Sequence, residues 1–272
     1  MSEPSLLRWA GSKRKSLPHL FRYWRGSERT HYLEPFCGSA ALFFASEAEA
    51  ATLCDKNEWL INFYRVVAED PIAVYELSNS IPRCKDTYMF IRATAKANRT
   101  IESAAHFVYL NRNCFNGIYR TNKSGRFNVP FSAARTGEHP SGRTFLLAAS
   151  KLRDAQLLSG DFEELVQNNS TASSFVYLDP PFATKNARVF TQYDSHSFGT
   201  SDINRLSRLL DYLDEINARF LVSYADVPEI YSLRNKWQWE SIQVQRHISG
   251  FTAHRRNASE VLISNFEPGQ AQ

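Results

Sequence analysis

Five short apolar runs constrain this chain more than any other feature: Tyr32-Leu33, Thr52-Leu53-Cys54, and residues 175–178, 220–224 and 261–264. Each is bounded by polar residues and is too short for a helix of ordinary length, so each reads as a buried strand. Between the third and fourth lies a clear amphipathic helix. Ile203, Leu206, Leu209, Leu210, Leu213 and Ile216 form its apolar stripe, and Thr200 or Ser201 is expected to cap its start. Strands alternating with helices make an α/β layer, which binds ligands at the carboxyl ends of its strands. A chain of 272 residues suffices for one large domain, or for one domain carrying a substantial insertion.

The middle departs from that alternation. From about Asn57 to Lys151 the pattern is mostly helical, interrupted at 115–131, where aromatic and polar residues alternate around Lys123-Ser124-Gly125. That interruption predicts a β-hairpin, and the whole stretch reads as an insertion into the α/β domain. No apolar run approaches the roughly 18 residues of a membrane span, and Met1-Ser2-Glu3-Pro4 has no basic-then-apolar leader pattern, so a cytoplasmic protein is expected. Cys37, Cys54, Cys84 and Cys114 form no CxxC pair and no zinc-like spacing. They are expected to be buried thiols in a reducing compartment, and no metal is implied.

The net charge of +4 is mild, but its distribution is not even. Arg8, Lys13, Arg14, Lys15, Arg22, Arg25 and Arg29 face only Glu3 and Glu28 in the first 29 residues, and Arg246, His247, His254, Arg255 and Arg256 cluster near the end. Such patches suit a polyanion or an ordinary solvated surface equally well.

Three segments carry chemistry. Glu34-Pro35-Phe36-Cys37-Gly38-Ser39-Ala40 follows a strand and opens into a helix-forming run, 42–51, with small residues that let backbone approach a ligand. Asp55 ends the next strand 17 residues after Gly38, where an acid can accept both hydrogen bonds of a ribose diol. A tight turn and a helix-capping Asp would look the same. Asp179-Pro180-Pro181-Phe182 directly follows a buried strand, and its two prolines make a rigid loop rich in acceptors. The Asp179 carboxylate and a neighbouring carbonyl, that of Pro180, suit the two N–H bonds of an amino group, with Phe182 as the stacking face for an extruded base. A strand followed by a proline turn is the plain alternative.

Together these segments resemble a known family. Asp-Pro-Pro-aromatic is the catalytic motif of N6-adenine and N4-cytosine methyltransferases, and the chain looks like the Dam-type (D12 class, alpha group) DNA adenine-N6 methyltransferases over nearly its whole length. Trp9-Ala10-Gly11-Ser12-Lys13 is similar to that family's Trp-Ala-Gly-x-Lys cofactor motif, and Glu34-Pro35-Phe36-x-Gly38 to its cofactor loop. Asn111-Arg112, Phe115-Asn116-Gly117 and 125–131 resemble its DNA-reading hairpin; Tyr193-x-x-x-Ser197-Phe198 and Ser223-x-x-Asp226 follow in the family's order.

The resemblance implies a Rossmann-like S-adenosylmethionine-dependent methyltransferase fold with a seven-strand, mostly parallel sheet. Residues 1–56 and 152–272 would form the catalytic domain, and residues 57–151 a mainly helical target-recognition domain carrying the hairpin. It implies S-adenosylmethionine as cofactor, held by Trp9, Lys13, Phe36, Gly38, Asp55, Asp161 and Asp179. Lys13 would pair with the methionine carboxylate and Asp55 with the ribose. Trp9 equally suits the core, and Asp161 equally suits a helix cap. Asp179, Pro180, Pro181 and Phe182 would be catalytic.

Double-stranded DNA is the implied partner, met by a monomer or weak dimer, with no membrane partner. Arg8, Arg14, Lys15, Arg246, Arg255 and Arg256 suit phosphates, with binding that weakens steeply in salt. Arg112, Asn116, Arg120, Asn122, Lys123, Arg126 and Asn128 belong to the hairpin region, where Arg or Lys suits guanine and Asn suits adenine; half of such a set usually meets backbone instead.

Three departures from the family's pattern stand out. Ala40 replaces a usual second Gly, Phe182 replaces a usual Tyr, and Ser124 stands where enzymes reading GATC place an Arg, which leaves the target as GATC or a related short site. Three alternatives stay open: N4-cytosine methylation, where Ser is more usual before Pro-Pro; a nicotinamide oxidoreductase, for which GxGxxG is missing; and a catalytically silent DNA-binding relative.

Overall fold

A computed structural model describes residues 5–122, 124–132, 138–181, 198–245 and 257–269. Seven strands form one sheet: β1 (His31–Glu34), β2 (Ala50–Asp55), β3 (Ala155–Ser159), β4 (Ser174–Leu178), β5 (Arg219–Ala225), β6 (Gln238–Gln245) and β7 (Asn257–Ser264). Their order is β3-β2-β1-β4-β5-β7-β6. The first five run parallel, while β7 is antiparallel to both β5 and β6. Chain order reverses between β1 and β4, so the crevice beyond their carboxyl ends is the switch point where such sheets take ligands.

The strands are apolar on both faces because helices cover both. On one face Tyr32, Phe175, Tyr177 and Leu221 join a core with α1 (Leu17–Gly26) and α3 (Glu58–Glu69). On the other, Leu33, Val176, Leu178 and Val222 pack with α8 (Phe162–Asn169) and α9 (Thr200–Glu215). The two-residue period of a strand makes this division, since neighbouring side chains point to opposite faces. In α9 the apolar stripe holds as expected. Its start differs: Gly199 precedes the helix, and the Asp202 carboxylate reaches back to accept the Gly199 N–H at 3.1 Å. Neither Thr200 nor Ser201 acts as the cap; both lie inside the helix.

Five helices connect β2 to β3: α3, α4 (Pro71–Ser80), α5 (Lys85–Thr94), α6 (Ile101–Asn113) and α7 (Gly142–Leu152). Side chains cap three of them, Asn57 on α3, Thr100 on α6 and Ser141 on α7, each accepting a backbone N–H of the first turn. The helical run expected over 42–51 is shorter. It ends as α2 (Ala41–Ala45), because residues from Ala50 onward are drawn into β2 beside β1. Cys37, Cys54 and Cys114 are buried and unpaired, as expected, but Cys84 is exposed because it precedes α5 at the surface. Among the described residues no helix is long and apolar enough to cross a membrane.

The 115–131 stretch is an excursion closed by two isolated bridges, Cys114 to Phe131 and Thr121 to Phe127, instead of a continuous ladder. The reason is local. Asn116 (φ +56°) and Gly117 (φ +64°) take left-handed backbone on one arm, and Pro130 has no N–H to give on the other. The tip turns on Asn122, whose Oδ1 accepts from the N–H groups of Ser124 and Arg126 (both 3.0 Å) and from the Ser124 hydroxyl. Lys123 lies outside the described residues.

Candidate active site

Two loops converge beyond β1 and β2. The Cys37 N–H donates to the Cys54 carbonyl (2.9 Å), the Gly38 N–H to Asp55 Oδ2 (3.0 Å), and the Asn57 N–H to Asp55 Oδ1 (2.9 Å). Each Asp55 oxygen thus holds one backbone donor and keeps lone-pair capacity. Burial raises the Asp55 carboxyl above its ordinary range, and these backbone N–H groups pull it back. Gly38 has φ +45°, and a Cβ there would stand 2.7 Å from the Trp9 indole nitrogen. Only glycine lets the indole lie on the loop. Trp9 also stacks on Tyr119 (centroids 6.0 Å, planes 18° apart), so it joins the Gly38 loop to the 115–131 excursion. Ala40 holds φ +48° at the start of α2, left-handed backbone that its Cβ makes costly.

Phe36 turns to the other face, with ring centroids 5.1 Å from Phe162 and 6.0 Å from Phe198. Asp161 caps α8, accepting the Glu163 N–H at 3.0 Å, and pairs with Arg205, which also bonds the Glu163 carboxylate. The helix-cap alternative for Asp161 is therefore the one the structure displays.

Beyond β4 the charges are buried together. Lys13, in the single turn Lys13–Lys15, sets its ammonium 3.1 Å from Asp179 Oδ1 and 3.0 Å from Glu260 Oε2 of β7. The Lys13 and Glu260 side chains are 6% and 3% exposed, and Asp179 is 19% exposed. Ser223 of β5 donates its hydroxyl to the same Asp179 Oδ1 at 2.8 Å. A serine has one proton to give, so the Tyr177 hydroxyl, 2.9 Å behind, donates to Ser223 in turn. Oδ1 is saturated by two protein donors, whereas Oδ2 has no hydrogen-bond partner among the described residues. Burial raises the Asp179 carboxyl; Lys13 and Ser223 hold it down, and Glu260 adds a further push upward. Behind it, Glu34 is fully buried against the Tyr32 hydroxyl (2.8 Å) and raised well above the carboxylate range by desolvation.

Lys13 was expected at a methionine carboxylate; here it is the counter-ion of two protein carboxylates. Glu260, Ser223 and Tyr177 were not among the expected site residues, although Ser223 lay in the quoted Ser223-x-x-Asp226 segment. Pro180 is buried and Pro181 exposed. Phe182, Arg246, Arg255 and Arg256 lie outside the described residues.

The expected DNA-facing residues divide. Arg112 is buried at 8% exposure, and its guanidinium donates to the carbonyls of Ser5, Leu6 and Glu138. It is a strut for the 5–9 segment and not a surface contact. Burial, joined by same-sign charge from Arg8, Arg14 and Arg83, pushes Arg112 down to about 10, which marks a basic cluster at this junction. Arg8 has its backbone clasped by Asn111 through two hydrogen bonds (2.8 and 2.6 Å). Arg120 bonds Asn128 across the excursion (2.7 Å), and Asn122 is engaged in the turn. Arg14, Lys15 and Arg126 are exposed, while Asn116 is half-buried beside Gly117.

Comparison with known proteins gives one consistent result. The family model described as D12 class N6 adenine-specific DNA methyltransferase matches residues 9–248. The Type II methyltransferase M1.LlaDCHI of Lactococcus lactis subsp. cremoris is 29% identical, over 95% of this chain and 94% of its own length. M.MjaIII of Methanocaldococcus jannaschii, also a Type II methyltransferase, is 30% identical over 98% of this chain and its full length. The DNA adenine methylase of Escherichia coli strain K12 is 28% identical over 97% of this chain and 96% of its own.

Proposed function

The chain belongs to the D12 class N6 adenine-specific DNA methyltransferases, and from that premise we propose how its residues hold the reactants. Its reaction is the methylation of adenine in double-stranded DNA. The methyl donor we assign is S-adenosylmethionine, which when bound supplies an electrophilic methyl group on a sulfonium. The donor set suits that molecule. Asp55 keeps lone pairs for a ribose diol, Gly38 and Phe36 offer close backbone and a ring, and the carboxylates around Lys13 favour a nearby cation. Trp9 supports the loop from behind, and Asp161 reaches the site only through its remaining acceptor capacity.

The observation that carries the catalytic assignment is the asymmetry of Asp179. With Oδ1 taken by Lys13 and Ser223, Oδ2 is the oxygen left to accept an N–H of the adenine amino group. The Pro180 carbonyl takes the second N–H, and neither Pro180 nor Pro181 offers a competing backbone donor. Two acceptors keep electron density on the nitrogen as it forms its new bond. Asp179 also holds the proton that must leave once the nitrogen carries four bonds. Phe182 is proposed as the stacking face for the flipped base. Positioning of this kind supplies much of the rate, and no covalent enzyme intermediate is required.

For DNA we propose that Arg8, Arg14, Lys15, Arg246, Arg255 and Arg256 meet phosphates. Asn116, Arg120, Lys123, Arg126 and Asn128 are the base-reading candidates, within GATC or a related short site. Residues 57–151 act as the target-recognition unit and residues 1–56 with 152–272 as the catalytic one; the protein works as a monomer or weak dimer on DNA. The test is expression in a host lacking adenine methylation, followed by sequencing that detects modified bases. N6-methyladenine in one short motif, absent with Asp179→Ala, is the expected result. An unmodified genome, with purified protein that neither binds S-adenosylmethionine nor labels DNA, overturns it.

A further inference from the structure

Lys13 is a single buried ammonium between two buried carboxylates, Asp179 Oδ1 at 3.1 Å and Glu260 Oε2 at 3.0 Å. The methyl transfer described above uses only Asp179. Glu260 stands on β7, opposite Ala225 of β5 and Ile242 of β6, and is followed by the buried apolar run Val261, Leu262 and Ile263. An apolar residue would suit that register. Burying a second carboxylate on one cation costs stability, so stability does not account for its presence. Geometry does. Lys13 reaches inward on a flexible four-carbon stem from a helix of one turn, and one ion pair fixes an ammonium in distance but not in direction. Two anchors, one after β4 and one on β7, fix both.

We propose that Glu260 is a positioning residue of the methyl transfer: it holds Lys13 against Oδ1 of Asp179, so that Oδ2 stays turned toward the amine. Glu260 touches neither reactant in this arrangement and acts through Lys13. Groups face Asp179 from every side: Lys13 from its single turn, Ser223 from β5, Tyr177 from β4, Glu34 from β1 and Glu260 from β7. Of these, Glu260 shares Lys13 with Asp179, and removing it takes one competing carboxylate away from that ammonium. The proposal rests on Asp179 being the amine acceptor.

The test uses the full chain with saturating S-adenosylmethionine and unmethylated genomic DNA, and reads single-turnover rate against pH, cofactor Kd and melting temperature. For Glu260→Gln the rate should fall about tenfold through misplacement of the acceptor, with cofactor Kd changed less than about threefold. The acidic limb of its rate profile should move to lower pH, because the carboxylate charge that pushed Asp179 upward is gone. Glu260→Asp keeps the charge but withdraws its oxygens from Lys13. It should keep the limb of the unsubstituted chain with a reduced rate. An unchanged rate and limb in Glu260→Gln overturns the proposal, as does a loss confined to Kd, or a rate loss with an unmoved limb. If Glu260→Gln does not fold, an unchanged rate or a displaced limb in Glu260→Asp overturns it instead. Should the unsubstituted chain transfer no methyl group, the assignment of Asp179 fails first, and this proposal with it.

Discussion

The carboxyl end of the sheet and the 115–131 excursion are both rich in polar side chains and use them in opposite ways. At the sheet the polar groups are far apart in sequence and meet in one buried knot: Lys13 with Glu260 at a separation of 247, and Ser223 with Asp179 at 44. In the excursion they bond within a few residues of themselves: Arg120 with Asn128, and Asn122 with Ser124 and Arg126. The first arrangement ties several strands together, as suits chemistry that must recur in one geometry. The second anchors its aromatic side chains on the core, Tyr119 and Phe127 against Trp59 among them, and leaves its polar tip bonded only to itself. Arg112 and Arg126 show the same contrast in one residue type, the first buried on backbone carbonyls and the second exposed at the tip.

Substitutions can break this contrast, and the largest effect should come at the knot. Asp179→Ala should lower the single-turnover methylation rate by about 100-fold or more, as loss of one preorganised polar group does elsewhere, while gel-shift affinity for DNA is kept. A comparable loss of DNA affinity would mean that Asp179 holds the duplex instead of the reacting group. Arg112→Met should cost about 2–4 kcal/mol of unfolding free energy, since three backbone carbonyls lose their donor. Arg126→Ala should leave urea stability within about 0.5 kcal/mol and instead weaken DNA binding, with relaxed specificity at one position of the site. Equal stability losses at the two arginines would erase the contrast.

A third effect depends on pH. Desolvation raises Glu34 well above its ordinary value in the fold, so above the ordinary carboxylate range the folded chain keeps a proton that the unfolded chain has released. Stability therefore falls as pH rises from the ordinary carboxylate range toward the folded value, by up to about 1.4 kcal/mol per pH unit for one proton. Glu34→Gln should flatten that slope in urea titrations across pH 5 to 8; an unchanged slope assigns it to Asp55, also raised by burial. The smallest effect is a gain. Ala40→Gly, at φ +48°, should stabilise the chain by about 0.5–1 kcal/mol in the same titrations. A loss there would show that the buried methyl group contributes more than its backbone costs.

The sequence made the centre of the sheet legible and left its edges faint. β1, β2, β4, β5 and β7 coincide with the five apolar runs, because central strands bury both faces and read as continuous hydrophobic stretches. Neither β3 nor β6 is among those runs. Both are edge strands; β6 buries only Ile242 among its described side chains, so its pattern is mostly polar. The site followed a similar rule. Asp55 and Asp179 were readable because strand ends announce them. Glu260 and Tyr177 were not, since a polar group inside an apolar run carries no local sign of its distant partner. Arg112 misled for the converse reason: an arginine beside a hairpin looks the same whether its carbonyl partners are absent or lie about a hundred residues away.

The clasp on the 5–9 segment has a consequence for how the molecule assembles. Asn111, Arg112 and Gly117 hold residues 5–8 across separations of 103 to 109 residues, and a Cβ on Gly117 would come within 2.5 Å of the Arg8 Cβ. Trp9, the next residue, is the one that lies on Gly38. Until α6 has been synthesised and folded, the segment has nothing to close against, and contacts that span such distances form late. The loop at Gly38 is therefore left without its indole lid during synthesis of the first hundred residues, and the order of assembly makes the excursion's base a precondition for a finished Gly38 loop.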